Sequence, residues 1–114
     1  MKFYTLDNKF IKESILGQDN FTGIIEYTDS GKGWYSKGKL HRLDGPAIEW
    51  PDGTKLWHVE GKRHRLDGPA YDHSDGTKYW YVNNKRHRID GPAREHSNGS
   101  KEWYIDDKQL AKEQ

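Results

Sequence analysis

Residues 41–63 read HRLDGPAIEWPDGTKLWHVEGKR, and two near-copies follow: HRLDGPAYDHSDGTKYWYVNNKR (64–86) and HRIDGPAREHSNGSKEWYIDDKQ (87–109). A weaker copy, QDNFTGIIEYTDSGKGWYSKGKL, precedes them at 18–40, and YTLDNK (4–9) resembles half a unit. A 23-residue period indicates one small structural unit used several times. The sequence predicts an N-terminal cap with a half repeat (1–17), four repeats (18–40, 41–63, 64–86, 87–109) and a C-terminal tail or short helix (110–114).

Each unit is predicted to form an antiparallel β-hairpin. The segment PDG (51–53), with SDG (74–76) and SNG (97–99) in the following units, has the composition of hairpin turns. The flanking segments 47–50 and 55–59 would be the two strands. Stacking of the units predicts an all-β fold: a single-domain ladder of antiparallel β-hairpins with short terminal caps. Segments 8–17 and 106–114 carry weak signals for terminal helices.

The repeats themselves indicate the register of the hairpin. A three-residue loop ending in glycine sets Glu49 opposite Lys55 and Ile48 opposite Leu56. The first pair keeps opposite charges in every unit, and the second pair changes both members together, as cross-strand neighbours do. The same counting places Ala47 opposite Trp57. The covarying pairs are Ile48–Leu56, Tyr71–Tyr79 and Arg94–Glu102.

Alternation along the strands sorts these residues onto two faces. One face is nearly constant between units, with tryptophans stacked against alanines, and it is predicted to be the packed side. The other face varies between units, so it is predicted to bind a partner. Its candidate residues are Ile48, Trp50, Leu56, His58, Tyr71, Tyr79, Tyr81, Arg94 and Glu102.

Composition bounds the function. The 114 residues contain 19 Lys and Arg against 18 Asp and Glu, which argues against bulk coating of nucleic acid. Cysteine is absent, so disulfides and thiolate metal sites are excluded. No apolar run is long enough for a signal peptide or a membrane span. A soluble, cytoplasmic protein is therefore expected, stabilised by five Trp, seven Tyr and three Phe rather than by a thick aliphatic core.

The repeated stretches GKRHRLDGPA (61–70) and NKRHRIDGPA (84–93), each followed by a DG or NG turn and a Trp, resemble MORN repeats. A closer likeness is the "NGKxHRxDGPA" variant found in small tailed-phage and bacterial proteins. The resemblance covers residues 18–109. It implies a MORN-like curved sheet of hairpins that contacts proteins or lipids and is not an enzyme. The phage likeness implies an inhibitor that binds and blocks a host protein, such as a component of antiphage defence, in the host cytoplasm.

The segment His41-Arg42-Leu43-Asp44 brings catalytic residue types together, yet three copies on one ridge argue against catalysis, which needs one pocket with separated pKa values. The favoured interpretation is a structural turn in which the Asp accepts hydrogen bonds from turn amides or from the Arg. Multivalent ligand binding by the three copies stays open. No metal site or cofactor is expected, because no ligand spacing supports one.

Basic residues cluster at the unit boundaries and are predicted to line one edge of the sheet, opposite the acidic turns. Such an edge suits phosphate groups of nucleic acid or anionic lipid. The plainer alternative is a charged edge that prevents aggregation, with each Arg paired to an Asp two residues away. The candidate anion-binding residues are Lys62, Arg63, Arg65, Lys85, Arg86 and Arg88.

The main hypothesis is therefore a non-enzymatic module that binds a protein partner through the variable face. Exposed apolar and aromatic surface usually marks an interaction site. The same face could instead be covered by a terminal helix or by a second copy of the chain in a homodimer. Anion binding by the basic edge is the alternative function.

Overall fold

The computed structural model describes residues 1–13 and 20–110. Within these ranges every regular element is a β-strand and most strands are two residues long. The strands are β1 (Lys2–Tyr4), β2 (Phe10–Glu13), β3 (Gly23–Glu26), β4 (Lys32–Ser36), β5 (Lys39–Leu40), β6 (Ile48–Glu49), β7 (Lys55–Leu56), β8 (His58–Val59), β9 (Lys62–Arg63), β10 (Tyr71–Asp72), β11 (Lys78–Tyr79), β12 (Tyr81–Val82), β13 (Lys85–Arg86), β14 (Arg94–Glu95), β15 (Lys101–Glu102), β16 (Tyr104–Ile105) and β17 (Lys108–Gln109).

Eleven strands of the described chain form one antiparallel sheet. Its order is β15-β14-β11-β10-β7-β6-β4-β3-β1-β2, with β5 paired to β4 at the side of this path. The sheet does not close, because β15 and β2 lie at opposite ends. The predicted all-β ladder of antiparallel hairpins is confirmed. The described residues contain no helix that could cross a membrane.

The predicted register of the two pairs nearest the turn is confirmed in the three units from residue 41 to 109, and the Glu26–Lys32 pair confirms it in unit 18–40. Ile48 pairs with Leu56 and Glu49 with Lys55. The equivalent pairs recur in the other units as Tyr71–Tyr79 with Asp72–Lys78, Arg94–Glu102 with Glu95–Lys101, and Glu26–Lys32.

In units 41–63, 64–86 and 87–109 the second strand ends before the tryptophan and is shorter than predicted, and at Trp57 the chain changes partner. In unit 18–40 the strand continues through Trp34, which pairs with Ile24. Trp57 does not pair with Ala47 across the hairpin; its amide donates to the Ala70 carbonyl of the next unit at 2.7 Å. After this residue the chain forms a second, smaller hairpin, in which β8 pairs with β9. Glu60 and Gly61 make its two-residue turn with φ of 49° and 81°, as a type I′ turn requires. Each of these units therefore contains two hairpins.

The small hairpins also stack on one another. The amide of Gly61 donates to the Leu40 carbonyl of the preceding unit at 2.8 Å. Asn84 and Asp107 repeat this contact with the carbonyls of Arg63 and Arg86, each at 2.8 Å. The chain thus carries a main sheet and, beside it, a ladder of small hairpins, and both repeat every 23 residues.

The core is thin and lies in two places. Phe3, Ile24 and Ile25 are buried at the N-terminal end of the sheet. Further along, buried positions recur once per unit, at the alanines that begin the first hairpin and at tyrosines of the small hairpins: Ala47, Ala70, Ala93, Tyr81 and Tyr104. The predicted burial of the alanines is confirmed.

The terminal helices suggested by the sequence are wrong for the described residues. Phe10–Glu13 is a strand that pairs with β1. At the other end β16 and β17 form a hairpin, because Asp106 and Asp107 adopt positive φ and make a turn rather than a helix cap. Residues 14–19 and 111–114, which complete these two predictions, lie outside the described residues.

Candidate functional site

Three copies of one loop, residues 41–47, 64–70 and 87–93, stand on the same face of the sheet and are called here the repeated loops. In the middle copy the Arg65 guanidinium lies 3.7 Å from the centre of the Trp57 ring. Its Nε donates to Asp67 at 3.0 Å and its Nη1 donates to the Pro69 carbonyl at 3.1 Å. The arginine of one unit therefore covers the tryptophan of the unit before it, in a cation–π contact.

The other two repeated loops have the same geometry. Arg42 lies 4.0 Å from the centre of the Trp34 ring, and Arg88 lies 3.9 Å from that of Trp80. The histidine that begins each loop ties the start of its unit to the small hairpin of the same unit, because its Nδ1 accepts the backbone N–H of the small-hairpin turn at 3.0 Å. These bonds join His41 to Glu60, His64 to Asn83 and His87 to Asp106. The predicted pairing of each loop's Arg with its Asp is confirmed.

The glycine of the loop is required by this packing. A Cβ built on Gly68 would lie 2.7 Å from the Cζ of Arg65, and Arg65 is held on its other side by Trp57. Gly68→Ala is therefore expected to lower the free energy of unfolding by about 1–2 kcal/mol, the size of a partly desolvated cation–π contact. Denaturant unfolding measures this effect. Gly53→Ala is not a usable control because of its positive φ. Ser97→Ala serves instead, because Ser97 is exposed and its hydroxyl makes no hydrogen bond within the part of the chain that the structure describes. Equal stability of both variants would contradict the packing role of Gly68.

The aliphatic residue at the third position of each repeated loop points outward. Leu43, Leu66 and Ile89 are 79 %, 79 % and 82 % exposed, more than any other large apolar side chain of the described residues. The arginine and aspartate on either side bind each other, so the aliphatic side chain between them is left at the tip. These three side chains form a row of apolar ridges, one per unit.

Grooves lie between the ridges. One groove, between Leu43 and Leu66, has Trp57 and Val59 at its floor. The next, between Leu66 and Ile89, has Trp80 and Val82 in the equivalent places. A third is lined by Leu6, Trp34 and Leu43. The ridges and these three grooves together are called here the ridged face.

Acidic groups are the outermost charges of the ridged face. The side chains of Asp44, Asp67 and Asp90 are 85–88 % exposed, whereas those of their arginine partners are 23–24 % exposed. A ligand approaching the ridges therefore meets carboxylates before it meets guanidinium groups.

The variable face predicted from the sequence is present as a continuous row across six neighbouring strands. Leu56 pairs with Tyr71, and Tyr79 pairs with Arg94, so the predicted pairs of successive units join end to end. The row runs Ile48, Leu56, Tyr71, Tyr79, Arg94, Glu102.

Members of this row are half-buried and contact each other. The rings of Tyr71 and Tyr79 stack with centroids 5.1 Å apart, and Arg94 lies 4.5 Å from the centre of Tyr79. Arg94 also pairs with Glu102 at 3.3 Å. The row changes from aliphatic to aromatic to ionic without leaving a large exposed apolar side chain, which distinguishes it from the ridges.

The remaining predicted partner-binding residues lie outside this row. Trp50 stacks on Tyr27 with centroids 5.7 Å apart and is half-buried. Tyr81 is only 9 % exposed, because Arg63 lies 4.1 Å above its ring. The prediction that Tyr81 belongs to an exposed strip is therefore wrong: it follows Trp80, where the chain leaves the main sheet for the small hairpin.

His58 occupies the position that Tyr81 and Tyr104 occupy in later units. Burial, and secondarily the charge of Arg63, lowers the pKa of His58 below its ordinary value. The unfolded chain then binds more protons than the folded chain below the ordinary histidine pKa, so the His58 contribution weakens stability as the pH falls from about 7 toward 5. His58→Tyr is expected to reduce this decline, and His96→Tyr is the comparison. Urea unfolding at several pH values measures it; an unchanged pH dependence in His58→Tyr would contradict the assignment.

The predicted anion-binding residues are not gathered on one edge. Lys62, Arg63, Lys85 and Arg86 lie on the small hairpins, whereas Arg65 and Arg88 are folded over tryptophans on the ridged face. Arg63 donates to Asn84 at 2.9 Å, and Arg86 donates to Asp107 at 2.7 Å. This bond raises the pKa of Arg86 and lowers that of Asp107. The four arginines thus already have protein partners.

The ridges are the feature that sequence reasoning missed. No role was predicted for Leu43 from the sequence. The signal was nevertheless present, since each copy carries a large aliphatic residue in a polar turn whose neighbours have each other as partners. No group of three or more metal-ligating side chains is found among the described residues.

Compared with protein-family models, with curated proteins and with solved structures, the chain shows no significant match.

Proposed function

We propose that this chain is a non-enzymatic module that binds a protein partner, and that the ridged face is its binding surface. The observation that carries the proposal is the row of exposed Leu43, Leu66 and Ile89 beside grooves floored by tryptophan and valine. Apolar side chains exposed in a row are hydrated unfavourably, so a partner that covers them gains free energy of binding. The His, Arg and Asp of each loop support a structural rather than a catalytic role, since each has a partner within the fold.

This binding surface lies on the face of the sheet opposite the variable row that the sequence predicted. The variable row is half-buried, and its stacked tyrosines and its ion pair contact each other, so less of its surface is left for a partner. Anion binding has less support, because the exposed charges of the ridges are carboxylates and the arginines are engaged. That the partner is a host defence protein, and the chain a phage-encoded inhibitor, rests on the resemblance of the repeat to those of small tailed-phage proteins.

Two variants separate the two faces. The first carries Leu43→Ser, Leu66→Ser and Ile89→Ser, and the second carries Tyr71→Ala and Tyr79→Ala. Both are used beside the parent chain in affinity capture from a host lysate, with mass spectrometry to quantify the captured protein. We expect the first variant to lose the partner while its thermal unfolding stays close to that of the parent, because the changed residues are about four-fifths exposed.

The second variant serves as the matched control on the other face. It is expected to retain the partner at a level set by its remaining folded fraction. Full capture by the serine variant would refute the ridged face as the binding surface. Loss of the partner by the tyrosine variant alone would return the site to the variable row.

A further inference from the structure

We propose that the ridged face binds an extended, proline-rich segment in the polyproline II conformation, with every third side chain seated in one groove. The segment runs across the strands, from the groove beside Leu6 toward Ile89, and carries lysine or arginine between its prolines. This inference rests on the proposed function and names the chemistry of the partner that the same face takes.

The spacing of the grooves is the first argument. Equivalent points in successive units are two strands apart, as Ile48 and Tyr71 are across Leu56. Neighbouring strands lie about 4.7–4.9 Å apart, so the grooves repeat about every 9.5 Å. A polyproline II helix has three residues per turn and a rise of about 3.1 Å, so its equivalent side chains repeat about every 9.3 Å. Over three grooves the two periods stay within about 1 Å.

Other backbone conformations fit the ridges less well. Side chains on one side of a β-strand repeat about every 6.7 Å, so the second would meet a ridge rather than a groove. Successive turns of an α-helix are about 5.4 Å apart, so alternate turns would lie on ridges. Addition of a strand is also excluded on this face, since it needs the open edge of a sheet, and the grooves lie on its surface.

The lining of the grooves is the second argument. Polyproline II ligands characteristically dock in aromatic-lined grooves, and their backbone carbonyls have no internal hydrogen bonds. Within the part of the chain that the structure describes, the indole N–H groups of Trp34, Trp57 and Trp80 have no protein acceptor and are not sealed from solvent. Each groove is therefore lined by a tryptophan whose ring an arginine covers on one face and whose indole N–H can donate to a ligand carbonyl.

Charge supplies the third argument. The exposed carboxylates of Asp44, Asp67 and Asp90 recur with the same period as the grooves. A ligand with a basic residue at every third position would place its charges beside them while its prolines occupy the grooves. The complementarity favours a basic proline-rich segment over an acidic or neutral one.

Three synthetic peptides test the proposal by calorimetric titration at about 0.15 M salt, where surface charges alone are strongly screened. The first is Pro-Pro-Lys repeated three times. The second has the same composition in an order that breaks the three-residue period, and the third is Gly-Gly-Lys repeated three times, which keeps the charge without the preformed helix. We expect the first to bind most tightly, and equal binding of the glycine peptide would overturn the proposal.

Protein variants locate the site. Leu66 forms a wall of two grooves, so Leu66→Ala is expected to weaken the periodic peptide about tenfold or more. Tyr71→Ala, on the opposite face, is expected to change its affinity less than about twofold. No binding of the periodic peptide, or binding that ignores Leu66, overturns the polyproline II assignment. If capture of a partner still depends on the ridges in that case, the proposed function stands without it; capture that ignores the ridges refutes the proposed function itself.

Discussion

Replacing Phe3 by alanine is expected to lower the free energy of unfolding by about 3–5 kcal/mol, the range found when a buried phenylalanine is removed and leaves a cavity. Phe3 is fully buried, the largest described side chain that is. It lies on β1 opposite Ile25, and its ring meets that of Phe21 edge to face with centroids 5.0 Å apart. The rest of the core is thin, so no second cluster of similar size replaces this contact.

Phe10→Ala is the matched control, because Phe10 lies on the neighbouring strand β2 and is 56 % exposed. Its expected cost is about 1 kcal/mol or less, mainly from the edge contact with Tyr4. Guanidinium unfolding followed by tryptophan fluorescence measures both. Similar costs for the two variants would show that the N-terminal cluster does not anchor the sheet.

The hairpin register was predictable from the sequence because the repeats provide their own comparison. Ile48 and Leu56 become Tyr71 and Tyr79 in the next unit, and only direct neighbours are expected to change together. The turn residues and the buried alanines follow from the same comparison. The turn residues and the cross-strand pairs, repeated at a fixed interval, are therefore enough to predict the ladder of hairpins in the main sheet.

Contacts between units were harder to predict, because comparing the hairpins shows which residues are opposite within a unit but not which residues of neighbouring units pair. The switch of the Trp57 amide from its own hairpin to Ala70 splits the predicted strand and creates the small hairpins. It also moves Tyr81 out of the main sheet and under Arg63. A two-residue turn such as Asn83-Asn84 signals the extra hairpin, since both residues tolerate positive φ.

The sequence pointed to the variable face rather than to the ridged face for a related reason. Repetition of the loop indicated a structural role, and Arg65 does bond within the loop. The residues that vary between units were therefore predicted to bind the partner. A residue that repeats can, however, be exposed in every copy while its neighbours in the loop bond to each other. Leu66 is such a residue, and its exposure follows from the mutual pairing of Arg65 and Asp67.

Replacing Trp80 by alanine is expected to cost about 2–4 kcal/mol in the free energy of unfolding, somewhat less than for a fully buried tryptophan because the ring is half-buried. The loss has two parts. The indole lies on the sheet beside the buried alanines, and the Arg88 guanidinium rests on it at 3.9 Å. Without the ring, Arg88 keeps its bonds to Asp90 and Glu95 but loses the surface on which it packs.

Trp103 is the control that isolates the second part. It is the equivalent residue of the last unit, and among residues 1–13 and 20–110 no arginine lies over its ring. Trp103→Ala is therefore expected to cost about 1–2 kcal/mol less than Trp80→Ala. Chemical denaturation of both variants, monitored by circular dichroism, compares them directly.

A double-mutant cycle then measures the contact itself. Trp80→Ala and Arg88→Ala together should cost less than the sum of the single changes by about 0.5–2 kcal/mol, because either change alone already removes the cation–π contact. Trp103→Ala combined with Arg88→Ala should come closer to additivity, since within the described residues no cation–π contact joins these two side chains. Additive costs for Trp80 and Arg88 would mean that the cation–π contact adds nothing measurable, and that the loop is held on the sheet by its hydrogen bonds and ion pairs, such as that of Arg88 with Glu95.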